Sequence, residues 1–117
     1  MRFHHVQLAI PVGGEDEAQA FWVELLGFDE IVKPLALADR GGRWFRNGEV
    51  EIHCAVEDPF SPAKKAHPAF EVEDLVVSAA LLQGAGYLTK PDNLLVGYRR
   101  FYANDPFGNR LEFLARR

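Results

Sequence analysis

The sequence predicts an α+β fold made of two tandem βαβββ modules, and three observations carry that reading. Short runs alternate apolar and polar residues between glycine, proline and asparagine turns, which is the period-two mark of strands with two unlike faces. Two other stretches carry apolar residues at helical spacing and end on glycine. The order of these elements over residues 1–56 returns over residues 66–117, with a linker at 57–65 holding Pro59 and Pro62. The 117 residues are expected to form a single domain of two such modules.

The first strand is expected from Phe3 to Pro11, with Val6, Leu8 and Ile10 on one face and His5, Gln7 and Ala9 on the other. Gly13-Gly14 opens a helix whose first turn, Glu15-Asp16-Glu17, places acidic groups at the positive end of the helix dipole. Ala18, Phe21, Trp22, Leu25 and Leu26 form its apolar stripe, and Gly27 stops it. Three strands follow: Glu30 to Ala38, interrupted by Pro34, then Arg43 to Arg46 and Glu49 to Val56, with Asn47-Gly48 as a hairpin turn. The last of them places Val50, Ile52, Cys54 and Val56 on one face and Glu49, Glu51, His53 and Ala55 on the other.

The second module begins with a strand at His67-Pro-Ala-Phe-Glu-Val, and Asp74 caps a helix running to Gln83. Strands are expected at Tyr87 to Lys90, Tyr98 to Asn104 and Asn109 to Ala115, with a loop around Pro91-Asp92-Asn93. Asp105-Pro-Phe-Gly-Asn109 reads as the tight turn before the last strand. Glu112 is then a carboxylate at the centre of an apolar strand, a placement that is costly unless a partner is close.

The repeat supplies candidates for that partner. His5-x-x-Leu-x-Ile aligns with His67-x-x-Phe-x-Val, and Ile52-His53-Cys54 aligns with Leu111-Glu112-Phe113. His5 therefore matches His67, and His53 matches Glu112, each on the less apolar face of its strand. Imidazoles and a carboxylate from separate strands are the donors a divalent transition metal takes, and open positions would remain for a substrate. His5, His67 and Glu112 make the expected ligand set, with His53 a candidate fourth, while His4 reads as an ordinary surface histidine. Tyr102, Arg100, Arg43 and Arg46 offer a hydroxyl and guanidiniums suited to an anionic oxygenated ligand. Trp44 and Phe45 read as core.

Composition narrows the function classes. Apolar residues make up 48% and charged residues 26%, ordinary for a globular protein, so disorder is not expected. A net charge of -4, with basic residues only in short pairs such as Lys64-Lys65, gives no footprint for nucleic acid. No apolar run reaches the roughly 20 residues that span a bilayer, and Met1-Arg-Phe-His-His lacks the apolar core of a signal peptide. Cys54 stands alone, so no internal disulfide forms. The expectation is a cytoplasmic protein with a small-molecule partner, without nucleic acid or membrane.

Three stretches resemble the vicinal oxygen chelate superfamily: His5-Val6, Ala20-Phe-Trp-Val-Glu-Leu-Leu-Gly-Phe28, and Phe101-Tyr-Ala-Asn-Asp-Pro-Phe-Gly-Asn-Arg-Leu-Glu112. That group holds glyoxalase I, fosfomycin-modifying thiol transferases, bleomycin-binding proteins and extradiol dioxygenases. The resemblance implies paired βαβββ modules forming a U-shaped mixed-sheet cleft, a divalent ion (zinc, nickel, manganese, iron or cobalt) on His5, His67 and Glu112, and a homodimer with sites at the subunit interface. His53 stands where glyoxalase I enzymes carry a glutamate ligand. The activity it implies is a lyase- or isomerase-type proton transfer on a substrate chelated through two oxygens, with Glu112 or a metal-bound water as base and Tyr102 close to the chemistry. The alternatives within the superfamily are a drug-sequestering resistance protein without turnover, a thiol transferase and a ring-cleaving dioxygenase. The fosfomycin enzymes carry a serine where this chain has Arg100, and bleomycin binders often lack the ligands that this chain keeps.

Overall fold

The computed structural model describes residues 1–117, whose contacts divide into two units, Met1–Pro62 and Ala63–Arg117. The first unit runs β1 (Val6–Ile10), α1 (Glu15–Gln19), a π-helical turn (Ala20–Leu25), β2 (Asp29–Ile31), a 3-10 segment (Leu35–Arg40), β3 (Arg43–Asn47) and β4 (Val50–Val56). Its sheet has the order β1-β4-β3-β2, with β1 parallel to β4 and the other pairs antiparallel. The β3–β4 hairpin turns on Asn47-Gly48, where Gly48 takes a φ of 58° that a side chain would disfavour. A parallel β1–β4 pair needs a crossover, and the helix lies within it.

The helix is the first departure from expectation. From Ala20 it widens, with Leu26 N–H donating to the Phe21 carbonyl at 3.1 Å, five residues back. With the extra residue per turn, the adjacent rings of Phe21 and Trp22 are both buried, edge to face at 5.0 Å. Gly27, at φ 77°, then turns the chain so that Phe28 N–H reaches the Trp22 carbonyl at 2.8 Å. These rings pack with Leu8, Ile10, Phe45, Ile52 and Cys54 from the sheet into the core of the unit. Each large side chain so buried contributes roughly 1.5–3 kcal/mol. The strand expected from Glu30 to Ala38 stops at Ile31. Pro34 has no N–H for a ladder, and Leu35–Arg40 winds into the 3-10 segment beyond it.

The second unit runs β5 (Ala69–Glu71), α2 (Leu75–Gly84), β6 (Lys90–Asp92), β7 (Tyr98–Asn104) and β8 (Arg110–Arg116), with the sheet order β5-β8-β7-β6. Asp74 caps α2, its Oδ1 accepting the Val77 N–H at 3.0 Å. Leu82, Phe101, Ala103, Leu111, Phe113 and Ala115 form its core, with the Phe101 and Phe113 rings stacked at 5.1 Å. The strand expected at Tyr87 to Lys90 lies at Lys90–Asp92 instead. Pro91 fits there because β6 is the edge of its sheet, where a missing N–H breaks no ladder. No helix is long and apolar enough to cross a membrane.

The turn before β8 is a closed hydrogen-bond knot. Asp105 Oδ1 accepts N–H bonds from Phe107 and Asn109, both at 2.9 Å, and its Oδ2 accepts from Asn109 Nδ2 at 2.8 Å. Asn109 Oδ1 in turn accepts the Ala63 N–H at 3.0 Å, and Arg110 N–H donates to the Ala63 carbonyl at 2.8 Å. The turn thus fastens the start of the unit to the foot of β8.

Both sheets share one register. Gln7 lies opposite His53 across the parallel pair of the first unit, and Ala69 lies opposite Glu112 in the second. Across the antiparallel pair, Trp44 faces His53 and Tyr102 faces Glu112. The equivalence of His53 with Glu112 therefore holds in the hydrogen-bonded frame as well as in the sequence.

Candidate functional site

In the second unit, alternation along β8 places Phe113 and Leu111 in the core and Glu112 on the opposite face. Glu112 is only 5% exposed, and both of its oxygens are engaged. Oε1 accepts from Arg100 Nη1 at 3.0 Å, and Oε2 lies 2.8 Å from His67 Nε2. Arg100 is itself held by Asp92 Oδ1, 3.2 Å from its Nε. Glu112 foremost, and Asp92 as well, hold the Arg100 guanidinium above its ordinary value. The Asp92 carboxyl is lowered, first by the Leu94 N–H at 2.9 Å and also by Arg100.

His67 carries the most informative geometry. Its Nδ1 is 2.9 Å from the Lys65 carbonyl, which can only accept, so Nδ1 bears the hydrogen. In the neutral ring Nε2 is then a lone pair facing a carboxylate oxygen, and two acceptors 2.8 Å apart need a proton or a cation between them. A ring N–H on a backbone carbonyl is also the usual support of a metal-ligating histidine. The donor set of His67 and Glu112 therefore fits a divalent ion. Tyr102 stands beside this pair, its ring edge-on to His67 at 5.5 Å, with the Arg110 guanidinium 4.0 Å from its centroid.

The first unit presents a different group. His53 is 4% exposed and sandwiched between two rings, Trp44 at 3.7 Å and His5 at 3.9 Å, both nearly parallel to it. Its Nε2 lies 2.6 Å from Glu51 Oε2, while Arg46 donates to Glu51 Oε1 from Nη2 at 2.7 Å and from Nε at 3.2 Å. Hydrogen bonds from Arg46 first, and then His53, lower the Glu51 carboxyl from an ordinary 4.5 to about 2. Burial lowers His53 against the opposing pull of Glu51, so the ring is held neutral. His5 Nδ1 is 2.8 Å from His4 Nδ1, and donor atoms of His4, His5 and Glu51 all lie within 4.8 Å of one another.

Of the residues singled out from the sequence, His67, Glu112, Tyr102 and Arg100 gather in the second unit, and His5, His53 and Arg46 in the first. Arg43 joins neither group. It falls on the core side of β3 with Phe45, where its Nη2 meets Asp16 of α1 at 3.0 Å. Trp44 is a ring partner of His53 on the opposite face rather than a core residue. Sequence reasoning missed Glu51, Asp92 and His4. Glu51 was visible as the residue two before His53 on the same strand face, and His4 as its tandem neighbour. Asp92 carried no signal while Pro91-Asp92-Asn93 read as a loop.

Two mixed four-stranded sheets, each from a βαβββ unit and each carrying ionisable side chains at the same register position, define a protein of the paired βαβββ class. Residues 2–113 match the model of the Glyoxalase/Bleomycin resistance protein/Dioxygenase superfamily, and the chain belongs to that superfamily. A protein assigned to the glyoxalase family from Bacillus anthracis is 46% identical, with a TM-score of 0.95 over 100% of this chain and 96% of that one. A glyoxalase family protein from Enterococcus faecalis is 26% identical, with a TM-score of 0.72 over 97% and 96% of the two chains. TnmS3, an antibiotic binding protein from Streptomyces sp. CB03234, shares the fold at 22% identity and a TM-score of 0.73, over 100% and 99%. A search of curated proteins finds no match.

Proposed function

We propose that this chain is a metal-dependent enzyme of its superfamily, acting on a small substrate that presents two neighbouring oxygens. His5, His67 and Glu112 are its ligands, and the working form is a homodimer in which one subunit supplies the first-unit ligand and its partner the second-unit pair. What supports the reading is the His67–Glu112 contact: a histidine whose Nδ1–H is anchored on a carbonyl and whose Nε2 faces a carboxylate at 2.8 Å. A bound divalent ion supplies Lewis acidity to a carbonyl oxygen. The chain supplies the rest. Glu112 would act as the base that takes the proton adjacent to that carbonyl and returns it to the neighbouring carbon, while Arg100 holds Oε1 and fixes the carboxylate plane. The Tyr102 hydroxyl and the Arg46 guanidinium orient an oxygen-rich substrate.

The test is metal content and turnover in wild type, His67→Ala and Glu112→Gln, assayed with hydroxyketones and oxoaldehydes. Wild type should retain about one divalent ion per site, and both variants should lose affinity, since each removes one of three ligands. Wild type without metal after growth in divalent-ion-supplemented medium would overturn the reading, as would full occupancy and unchanged turnover in Glu112→Gln. A metal-free protein that instead binds an aromatic antibiotic tightly would be a sequestering protein, in the manner of the antibiotic binding protein TnmS3.

A further inference from the structure

His53 occupies the register position of Glu112, yet its surroundings differ in kind. Both faces of its imidazole are covered, by Trp44 at 3.7 Å with an interplanar angle of 4° and by His5 at 3.9 Å with 14°. Its Nε2 faces Glu51 at 2.6 Å, and Glu51 is pinned on its other oxygen by Arg46. A carboxylate can only accept from this nitrogen, so Nε2 carries the hydrogen and the lone pair is on Nδ1. His5 has its own Nδ1 against His4, which leaves Nε2 for a ligand.

We propose that His53 is a positioning residue, which fixes the plane of the His5 imidazole by stacking against it and is itself held by the Arg46–Glu51 pair and the Trp44 ring. The inference rests on the reading of His5 as a ligand. It departs from that reading's simplest extension, in which His53 would be a fourth ligand. A ligand role would need a lone pair on the nitrogen that meets the ion. A stacking role needs only a flat ring in the same place, so phenylalanine can replace the histidine in the second role and not in the first.

The experiment compares His53→Phe, His53→Ala and Glu51→Gln in the full chain. In metal-free protein, nitrogen NMR of the wild type should report His53 as the Nε2–H tautomer, and Glu51→Gln should mix in the other tautomer. The His5 ring protons should carry a ring-current shift that survives His53→Phe and disappears in His53→Ala. In zinc titrations His53→Phe should stay within about 3-fold of wild type, while His53→Ala should lose about 10- to 100-fold, the range for supports of metal ligands. Equal losses in the two variants, or an Nδ1–H tautomer in the wild type, would overturn the proposal. If wild type binds no zinc, the ligand reading of His5 fails, and the ring-current comparison still decides whether His53 sets the His5 plane.

Discussion

Asn109→Ala tests the knot at the foot of β8 most directly. Asn109 is 1% exposed, and its side chain ties two groups together, Nδ2 donating to Asp105 Oδ2 at 2.8 Å and Oδ1 accepting the Ala63 N–H at 3.0 Å. Truncation leaves the buried Asp105 Oδ2 without this partner, at about 1–3 kcal/mol, while the N–H of exposed Ala63 can turn to water and forfeits only the net worth of its bond, about 0.5–1.5 kcal/mol. The expected loss is therefore about 2–4 kcal/mol, a large share of the roughly 5–15 kcal/mol that holds a domain together. Urea unfolding should show it as a midpoint lower by about 1–2 M for a slope near 2 kcal/mol/M, with the slope unchanged. The double variant with Asp105→Ala should lose less than the sum of the single losses, with about 0.5–3 kcal/mol of coupling. A loss below about 1 kcal/mol, or strict additivity, would show that water satisfies these groups and that the knot is not what fastens Ala63 to β8.

Three further outcomes are expected. Glu51 is lowered from 4.5 to about 2, so folding favours its ionised form; stability from this group is present above pH 4.5 and lost as pH falls towards 2. His53, lowered from 6.5, adds a loss in the same direction once pH drops below 6.5, because the unfolded chain binds the proton more readily. Chemical denaturation across pH 7 to 3 should show a steeper fall in wild type than in Glu51→Gln, and parallel curves would refute the assignment. Gly42→Ala would put a Cβ 2.1 Å from the Cys54 carbonyl oxygen at a φ of +78°, costing about 3 kcal/mol or more; an unchanged melting midpoint would contradict that close approach. Asp74→Ala removes the cap of α2 and should cost about 1 kcal/mol in urea titrations, with Asp74→Asn recovering most of it.

The strands that end in glycine or asparagine turns were legible because their faces and turn chemistry agreed. The β3–β4 hairpin and β7 lie where alternation and Asn47-Gly48 put them. The π-helical turn was not legible, since Ala18, Phe21, Trp22, Leu25 and Leu26 fit a helical stripe whether or not one extra residue is present. Proline misled in opposite directions. Pro34 interrupted a strand that in fact ends at Ile31, and Pro91 signalled a loop where an edge strand tolerates it. At the site, burial of a carboxylate on an apolar strand predicted a histidine partner for Glu112, and His67 fills that role. Arg100 as its second partner depends on the β7–β8 pairing, and the Trp44–His53–His5 stack on rotamers, neither of which spacing along a chain encodes.

The shared register of the two sheets has a consequence for how such a chain can change. The separation from Gly27 to His53 equals that from Gly86 to Glu112, whereas the stretch from Gln7 to Gly27 is longer than its counterpart from Ala69 to Gly86. The equality is the total of unequal parts: 11 residues separate β2 from β3 and two separate β3 from β4, against five and five between β6, β7 and β8, so a longer loop in one copy is offset by a shorter one. What the two copies hold in common is the ladder and not its loops: at one register position the first carries an aromatic stack and the second an ion-paired carboxylate.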